Sequence, residues 1–140
     1  MIAALVFAVL FAPPPGWQKI TDDPAVHVTQ WRKDAKPNAP ILAVMILQGT
    51  TASSKEVALK ALAAAKPLGA KLVKSAPTPL CRGIKGYTTW TTVTVDGQKR
   101  ARITLVLATP LATYTADYLR PMGTPEDSNV MGALASLCPN

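Results

Sequence analysis

Apolar and polar side chains follow two different spacings along this chain, one typical of strands and one typical of helices. Residues 25–33 predict a strand, because Val26 and Val28 alternate with polar neighbours. Residues 41–47 are apolar at every position, which is typical of a strand that is covered on both faces. This second segment therefore predicts a sheet with a further layer on each side.

The strongest hairpin signal is the pair Asp96 and Gly97, which lies between two long runs rich in β-branched and apolar residues. An Asp-Gly pair suits a two-residue turn, since both positions of that turn need a positive φ. The two runs are therefore predicted to pair antiparallel. Further strands and a turn complete the pattern, with strands at 16–20, 71–75, 86–95, 99–109 and 112–120 and a turn at 22–24.

Two segments carry helix signals. The first helix is predicted to begin at Ser53, whose hydroxyl caps it while Glu56 reaches back, and to stop at Pro67. The second is predicted to begin with Thr124 as the cap and Pro125 at the first helical position. The apolar stripe of this second helix consists of Val130, Leu134, Leu137 and Cys138.

Composition limits the chain to one folded domain. Its 140 residues suffice for one hydrophobic core, and a content of 49% hydrophobic and 16% charged residues excludes a disordered chain. Together with the order of elements, this predicts an α+β fold. We expect an antiparallel sheet of about six to seven strands, flanked by two helices in an α/β/α sandwich.

The beginning of the chain differs from the rest, because residues 1–12 are almost wholly apolar and carry no charged side chain. Their length fits the apolar region of a signal peptide and is too short for a membrane-spanning helix. We predict a signal peptide at 1–12, a proline-rich linker at 13–16 and a single domain at 17–140. The mature protein would then be periplasmic or secreted, without a transmembrane helix. A buried first strand or helix is the alternative.

The chain has two cysteines, Cys81 and Cys138. In an exported protein they are expected to form a disulfide, because the periplasm and the exterior are oxidising. A structural zinc site needs about four ligands, and one histidine with two cysteines does not supply a usual set. We therefore expect a disulfide and no metal site, with two buried free thiols as the alternative.

Catalytic residues are scarce, since His27 is the only histidine and the acidic residues are scattered. A lone histidine within a strand is typical of a structural residue, and no phosphate-binding loop or other cofactor signature is present. No cofactor is expected. An enzyme would have to combine His27 with Asp34, Asp117 or a neighbouring Ser or Thr.

Charge and aromatic residues indicate a binding surface. Fifteen Lys and Arg against eight Asp and Glu attract anionic partners, although such an excess also keeps proteins soluble. An exported protein meets little nucleic acid, so none is expected as a partner. Residues at strand spacing could share a face, and the tyrosines among them also suit a core. The candidate binding residues are Trp90, Arg100, Arg102, Tyr114, Tyr118 and Arg120.

The order of these elements resembles the PsbP-like superfamily, which includes DcrB-type periplasmic proteins. The resemblance spans nearly all of the predicted mature chain, from about Pro15 to Pro139. It is carried by Pro15-Gly16-Trp17, the capped helix at Ser53, Gly86-Tyr87, Val95-Asp96-Gly97 and Tyr114-Thr115-Ala116-Asp117-Tyr118. It implies an antiparallel sheet flanked by helices and a non-enzymatic role as an envelope, assembly or binding accessory. No functional residue of the family has a clear counterpart here.

Three functional hypotheses follow. The leading one is an exported, non-enzymatic accessory or binding protein of the cell envelope, with an envelope protein or an anionic surface as its partner. One alternative is a small envelope hydrolase that uses His27. The other is a basic protein that binds an anionic envelope polymer or lipid.

Overall fold

The computed structural model describes residues 9–139. Seven antiparallel strands form one sheet in the order β2-β3-β4-β8-β7-β6-β5, and β1 pairs with β9 outside it. The strands are β1 (Val9–Leu10), β2 (Gln18–Asp23), β3 (Val28–Arg32), β4 (Ile41–Gln48), β5 (Lys71–Pro79), β6 (Lys85–Val95), β7 (Gln98–Ala108), β8 (Ala112–Pro121) and β9 (Cys138–Pro139). With two helices, this confirms the predicted α+β fold and its antiparallel sheet.

Helix α1 (Ser54–Ala65) begins where the sequence predicts. Ser53 is the cap, and its side-chain oxygen accepts a hydrogen bond from the backbone N–H of Glu56 at 3.1 Å. A short 3-10 turn follows, and Gly69 closes it with φ of 99°. The first helix therefore has the boundaries that local capping chemistry dictates.

Helix α2 (Ser128–Ala135) begins later than predicted. Asp127 caps it by accepting a hydrogen bond from the N–H of Asn129 at 2.9 Å, so the predicted cap at Thr124 is wrong. The carbonyl oxygen of Thr124 instead accepts a bond from Nε of Arg120 at 2.9 Å. A tertiary contact thus holds the segment that the sequence pattern assigned to the helix.

The predicted hairpin is confirmed, since Asp96 and Gly97 both have positive φ, 51° and 77°. The first hairpin differs from the prediction: β2 continues through Asp23, and the turn covers residues 24–27. His27 lies in that turn with φ of 51°, and not within a strand. The edge strand β5 extends to Pro79, because an edge strand tolerates a residue that lacks a backbone N–H.

One face of the sheet, the core face, is filled. Helix α2 and the segments that flank the domain pack against it, and the Phe11 ring lies 5.5 Å from that of Trp31. The buried core residues are Trp31, Leu42, Val44, Leu80, Ile103, Leu105, Leu107, Ala112, Tyr114, Ala116, Tyr118, Val130, Leu134 and Leu137.

The opposite face, the groove face, is covered only in part. Helix α1 contacts β6 and β7, where the buried Ser54 hydroxyl accepts from the N–H of Ala108 and donates to the carbonyl of Lys85, both at 2.9 Å. A helix is about 10 Å wide, and strands are about 4.8 Å apart, so one helix spans roughly two strands. The groove face of β3, β4 and β8 therefore remains open beside α1.

The predicted disulfide is confirmed, with 5.7 Å between the Cα atoms of Cys81 and Cys138. Most of the predicted signal peptide, residues 1–8, lies outside the described residues. Its last part is placed in the fold, since Val9 and Leu10 pair with Pro139 and Cys138. The signal peptide therefore stays a prediction. Within residues 9–139, no helix combines the length and the apolar character needed to span a bilayer.

Candidate functional site

A groove of about 440 Å³ lies where α1 leaves the groove face uncovered. We call it the open groove. Its walls come from the end of α1 and its following turn, from β6, and from the uncovered strands. The apolar lining residues are Val28, Ile41, Ala43, Met45, Ala65, Leu68, Ala70, Val93, Val95 and Leu119, and the polar ones are Gln30, Thr94, Arg102 and Asp117. Ligand sites have this character: mostly apolar walls with a few polar groups.

The floor of the open groove is the groove face of β4. Successive side chains of a strand point to opposite faces, so Leu42 and Val44 enter the core while Ile41 and Ala43 face the groove. Leu42 and Val44 are 0% and 5% exposed, whereas Ile41, Ala43 and Met45 are only half-buried. The prediction that the 41–47 run is covered on both faces therefore holds for the core face and only in part for the groove face. Apolar residues remain partly exposed on one side of a central strand.

The polar end of the open groove is an ion pair. Nε of Arg102 donates to Oδ1 of Asp117 at 2.8 Å, and the Thr104 hydroxyl donates to the same oxygen at 2.6 Å. Burial by itself would lower the pKa of Arg102, but the hydrogen bond and the negative charge of Asp117 outweigh it and raise that pKa. The guanidinium therefore stays charged.

This arrangement leaves polar groups available to a ligand. Within the described part of the chain, the two terminal nitrogens of Arg102 donate no hydrogen bond and Oδ2 of Asp117 accepts none. The two side chains are 38% and 21% exposed, so solvent and ligands reach them. A guanidinium with free terminal N–H groups can bind an oxyanion through two parallel hydrogen bonds.

Of the predicted binding residues, Arg102 lies in the open groove and Arg100 lies near it. Arg100 points to the same face, two residues along β7, and its Nη2 donates to Oδ1 of Asn38 at 3.2 Å. The sequence thus placed two of the six residues at one end of the groove face.

Tyr114 and Tyr118 lie in the core, each 1% exposed, as the alternative interpretation of the sequence allowed. Burial raises the pKa of both hydroxyls; for Tyr118 the hydrogen bond from the backbone of Asp127 and the charge of Arg120 act in the opposite direction. At this depth neither ring reaches a ligand, so we remove both from the candidate binding residues.

Arg120 and Trp90 also belong to the core face. The Arg120 side chain is 12% exposed, lies 5.4 Å from the centre of the Tyr118 ring and approaches Glu126 to 4.0 Å. Trp90 packs against the core, with the Lys74 ammonium 4.5 Å from its ring centre. The sheet therefore separates both residues from the open groove.

His27 lines a different groove, of about 420 Å³, between the turns at one end of the sheet. Its neighbours there include Ile46, Leu47 and Leu111, whereas Asp117 lies in the open groove. The structure therefore does not bring His27 and Asp117 into one site. Across residues 9–139, no three His, Cys, Asp or Glu side chains gather in a way that could hold a metal ion.

Sequence reasoning missed the apolar residues of the open groove and assigned Asp117 only to the enzyme alternative. The number of predicted strands and helices already indicated that part of the sheet would stay uncovered. A seven-strand sheet is about 29 Å wide, and two helices of about 10 Å each cannot cover both of its faces. An unbroken apolar strand in such a sheet therefore indicates an exposed apolar floor as readily as a second covering layer.

Comparison with protein-family models found no match, and comparison with curated protein sequences found none. Several solved structures are similar in fold. LpqN of Mycobacterium tuberculosis, involved in cell envelope biogenesis, is 14% identical, with a TM-score of 0.61 over 94% of this chain and 84% of that chain. The Ran-binding protein Mog1p of Saccharomyces cerevisiae is 9% identical, with a TM-score of 0.57 over 92% and 79%. PA94 of Pseudomonas aeruginosa is 11% identical, with a TM-score of 0.59 over 68% and 69%. These likenesses show the fold alone.

Proposed function

We propose that this chain is an exported, non-enzymatic binding protein of the cell envelope that holds the apolar part of a ligand in the open groove. The observation that carries the proposal is the groove face of β4, where Ile41, Ala43 and Met45 remain partly exposed in a cavity of about 440 Å³. Exposed apolar surface of this kind costs solubility and is typical of a binding site.

The envelope part of the proposal has two supports. The disulfide between Cys81 and Cys138 favours an oxidising compartment. LpqN, which shares the fold, is involved in cell envelope biogenesis. The resemblance to the PsbP-like superfamily also remains a proposal, supported by the order of strands and helices.

Binding in the open groove is tested by a substitution that places a larger side chain inside it. We expect the protein to bind an uncharged amphiphile, 1-dodecanol below its solubility limit, and Ala43→Phe to weaken that binding at least tenfold. Ala63→Phe is the matched control, because Ala63 is exposed on α1 and does not line the groove. Isothermal titration calorimetry measures both variants. Equal binding by the two variants, or no binding by the unaltered protein, would contradict the proposed site.

Export is tested separately. We expect mass spectrometry of the exported fraction to find a chain that begins near Pro13. A chain that begins before Val9 would keep β1 and the contact between Phe11 and Trp31. Recovery of the protein only from the cytoplasm, with Met1 attached, would contradict export.

A further inference from the structure

We propose that the ligand of the open groove is a single-chain amphiphile with a carboxylate head, bound by Arg102 and Arg32, with its alkyl chain along β4. This inference rests on the proposed binding function and adds the chemical class of the ligand. It follows from the register of the sheet, from the balance of charge at one end of the groove face and from the length of the apolar floor.

The register places two arginines on either side of the apolar floor. Arg32 is paired with Ile41, Ile41 with Leu119, and Leu119 with Arg102. Residues directly opposite each other in a sheet share a face, so these four side chains form one row on the groove face. The two arginines are three strands apart, about 14 Å between backbones. Both side chains can therefore extend toward a head group above Ile41 and Leu119.

Charge at this end of the groove face is positive. Arg32, Arg102 and Arg100 lie on the strands there, and Asp117 is the acidic residue among the groove-lining side chains. Arg32 contacts only the neutral Gln18 through Nε, at 3.4 Å, within the described chain. An anionic head is therefore attracted, and a cationic head is repelled.

Asp117 limits how much negative charge the head group of the ligand can carry. Its carboxylate lies 2.8 Å from Nε of Arg102, on the side of the groove where the head group would bind. A carboxylate head carries one negative charge and matches the terminal nitrogens of a guanidinium. Arg32, Arg102 and Asp117 together carry a net charge of +1 (2 − 1), which one carboxylate neutralises. A phosphate monoester carries between one and two negative charges at neutral pH and would leave negative charge in excess beside Asp117. The site therefore favours a carboxylate over a phosphate.

The apolar floor fits one alkyl chain. From the arginine row, the groove face of β4 continues through Ala43 and Met45 to Leu47, about 20 Å at the rise of a strand. Val28 of β3 borders this path. Leu47 lines a further groove of about 530 Å³ beside the first turns of α1, so a longer chain can continue there.

Four twelve-carbon probes test the head group: dodecanoate, 1-dodecanol, dodecyl phosphate and dodecyltrimethylammonium, each below its micelle or solubility limit. By isothermal titration calorimetry we expect dodecanoate to bind at least tenfold more tightly than any of the others. Equal affinity for dodecanoate and 1-dodecanol overturns the carboxylate assignment and leaves the groove function standing. Tighter binding of dodecyl phosphate also overturns it. If none of the four binds, both proposals fail.

Substitutions at the two arginines test whether these residues bind the head group. We expect Arg102→Gln and Arg32→Gln each to weaken dodecanoate binding about tenfold and to weaken 1-dodecanol binding much less, because the alcohol carries no charge. Because Arg102→Gln leaves Asp117 unpaired, Arg102→Gln with Asp117→Asn is the second variant. It should bind dodecanoate more weakly than Asp117→Asn alone. Lys99→Gln is the control, since it removes one positive charge from an exposed residue on the core-face side of β7. A similar loss in the control, or none in the arginine variants, would show that the arginines do not bind the head.

Discussion

The two faces of strand β4 have the same apolar composition and opposite surroundings. On the core face, Leu42 lies in a row between Trp31 and Tyr118 and is 0% exposed. On the groove face, one residue later, Ala43 lies on the floor of a cavity of about 440 Å³. The difference shows that an apolar strand face can be covered by the chain's own packing or left partly open to a groove, and that apolar composition does not distinguish the two.

The largest effect should follow from a change on the core face. We expect Leu42→Ala to lower the free energy of unfolding by about 3–4 kcal/mol, because it leaves a cavity between two aromatic rings. Urea unfolding followed by circular dichroism measures it. Ile41→Ala is the equal truncation on the groove face. If it lowers the free energy of unfolding as much as Leu42→Ala does, the two faces do not differ in the way described.

Loss of the disulfide should come next. Joint replacement Cys81→Ser and Cys138→Ser is expected to cost about 3 kcal/mol, within the usual range for a disulfide, since it removes a bond that closes a loop of 57 residue steps. The bond lies on the side of the core face, so binding in the open groove should be unchanged at a temperature where the variant is folded. Thermal melts and 1-dodecanol titrations check the two parts. Impaired binding by the folded variant would show that the two faces are coupled.

The buried tyrosines should make the core face sensitive to alkali. Burial raises the pKa of Tyr114 above its usual value of 10.0, so the folded state keeps a proton that the unfolded state loses. The stabilising contribution is complete below about pH 10 and is lost as the pH rises through the folded pKa, by up to about 1.4 kcal/mol per pH unit. Tyr114→Phe should reduce this slope, as urea unfolding between pH 9 and 11 would show. An unchanged slope would contradict this account of the tyrosine.

The ion pair in the groove should matter less for stability. We expect Asp117→Asn to cost about 1 kcal/mol, because Arg102 is more than one-third exposed and solvent screens its charge. The variant should also strengthen dodecanoate binding, since a negative charge beside the head is removed. Urea unfolding and calorimetry measure the two quantities. A loss of several kcal/mol would mark the pair as structural.

The smallest stability effect is expected for Met45→Gln. Its side chain faces the open groove and is already partly exposed, so the free energy of unfolding should change by less than about 1 kcal/mol. Binding of 1-dodecanol should nevertheless weaken, because a polar amide replaces part of the apolar floor. Large destabilisation with unchanged binding would mean that this face is core.

Features that depend on neighbouring residues could be predicted from the sequence. The cap at Ser53 and the turn at Asp96 and Gly97 rest on local backbone chemistry, and both are confirmed. The disulfide followed from there being two cysteines and an expected oxidising compartment. The cap at Thr124 failed, because a distant arginine from β8 binds its carbonyl oxygen. Local patterns contain no information on such a contact.

The candidate site was only partly predictable for the same reason. Strand spacing placed Arg100 and Arg102 on one face, which the structure reproduces. It also grouped them with Tyr114 and Tyr118 as candidate binding residues, although a sheet has two faces and these tyrosines point to the other one. The face of the sheet to which a side chain points depends on the register of strand pairing, and that register is set by the whole sheet.

By itself, then, the sequence determined the α+β class, most strands, the first helix and the covalent link between Cys81 and Cys138, because these follow from periodicity, capping and chemistry of the residues themselves. Only the tertiary structure decided that α1 settles over β6 and β7 and leaves the groove face of β4 uncovered. It also decided that Arg32 and Arg102, 70 positions apart (102 − 32), share one row. The physical reason is that a helix covers about two strands, and its position is chosen by long-range packing that no local pattern specifies.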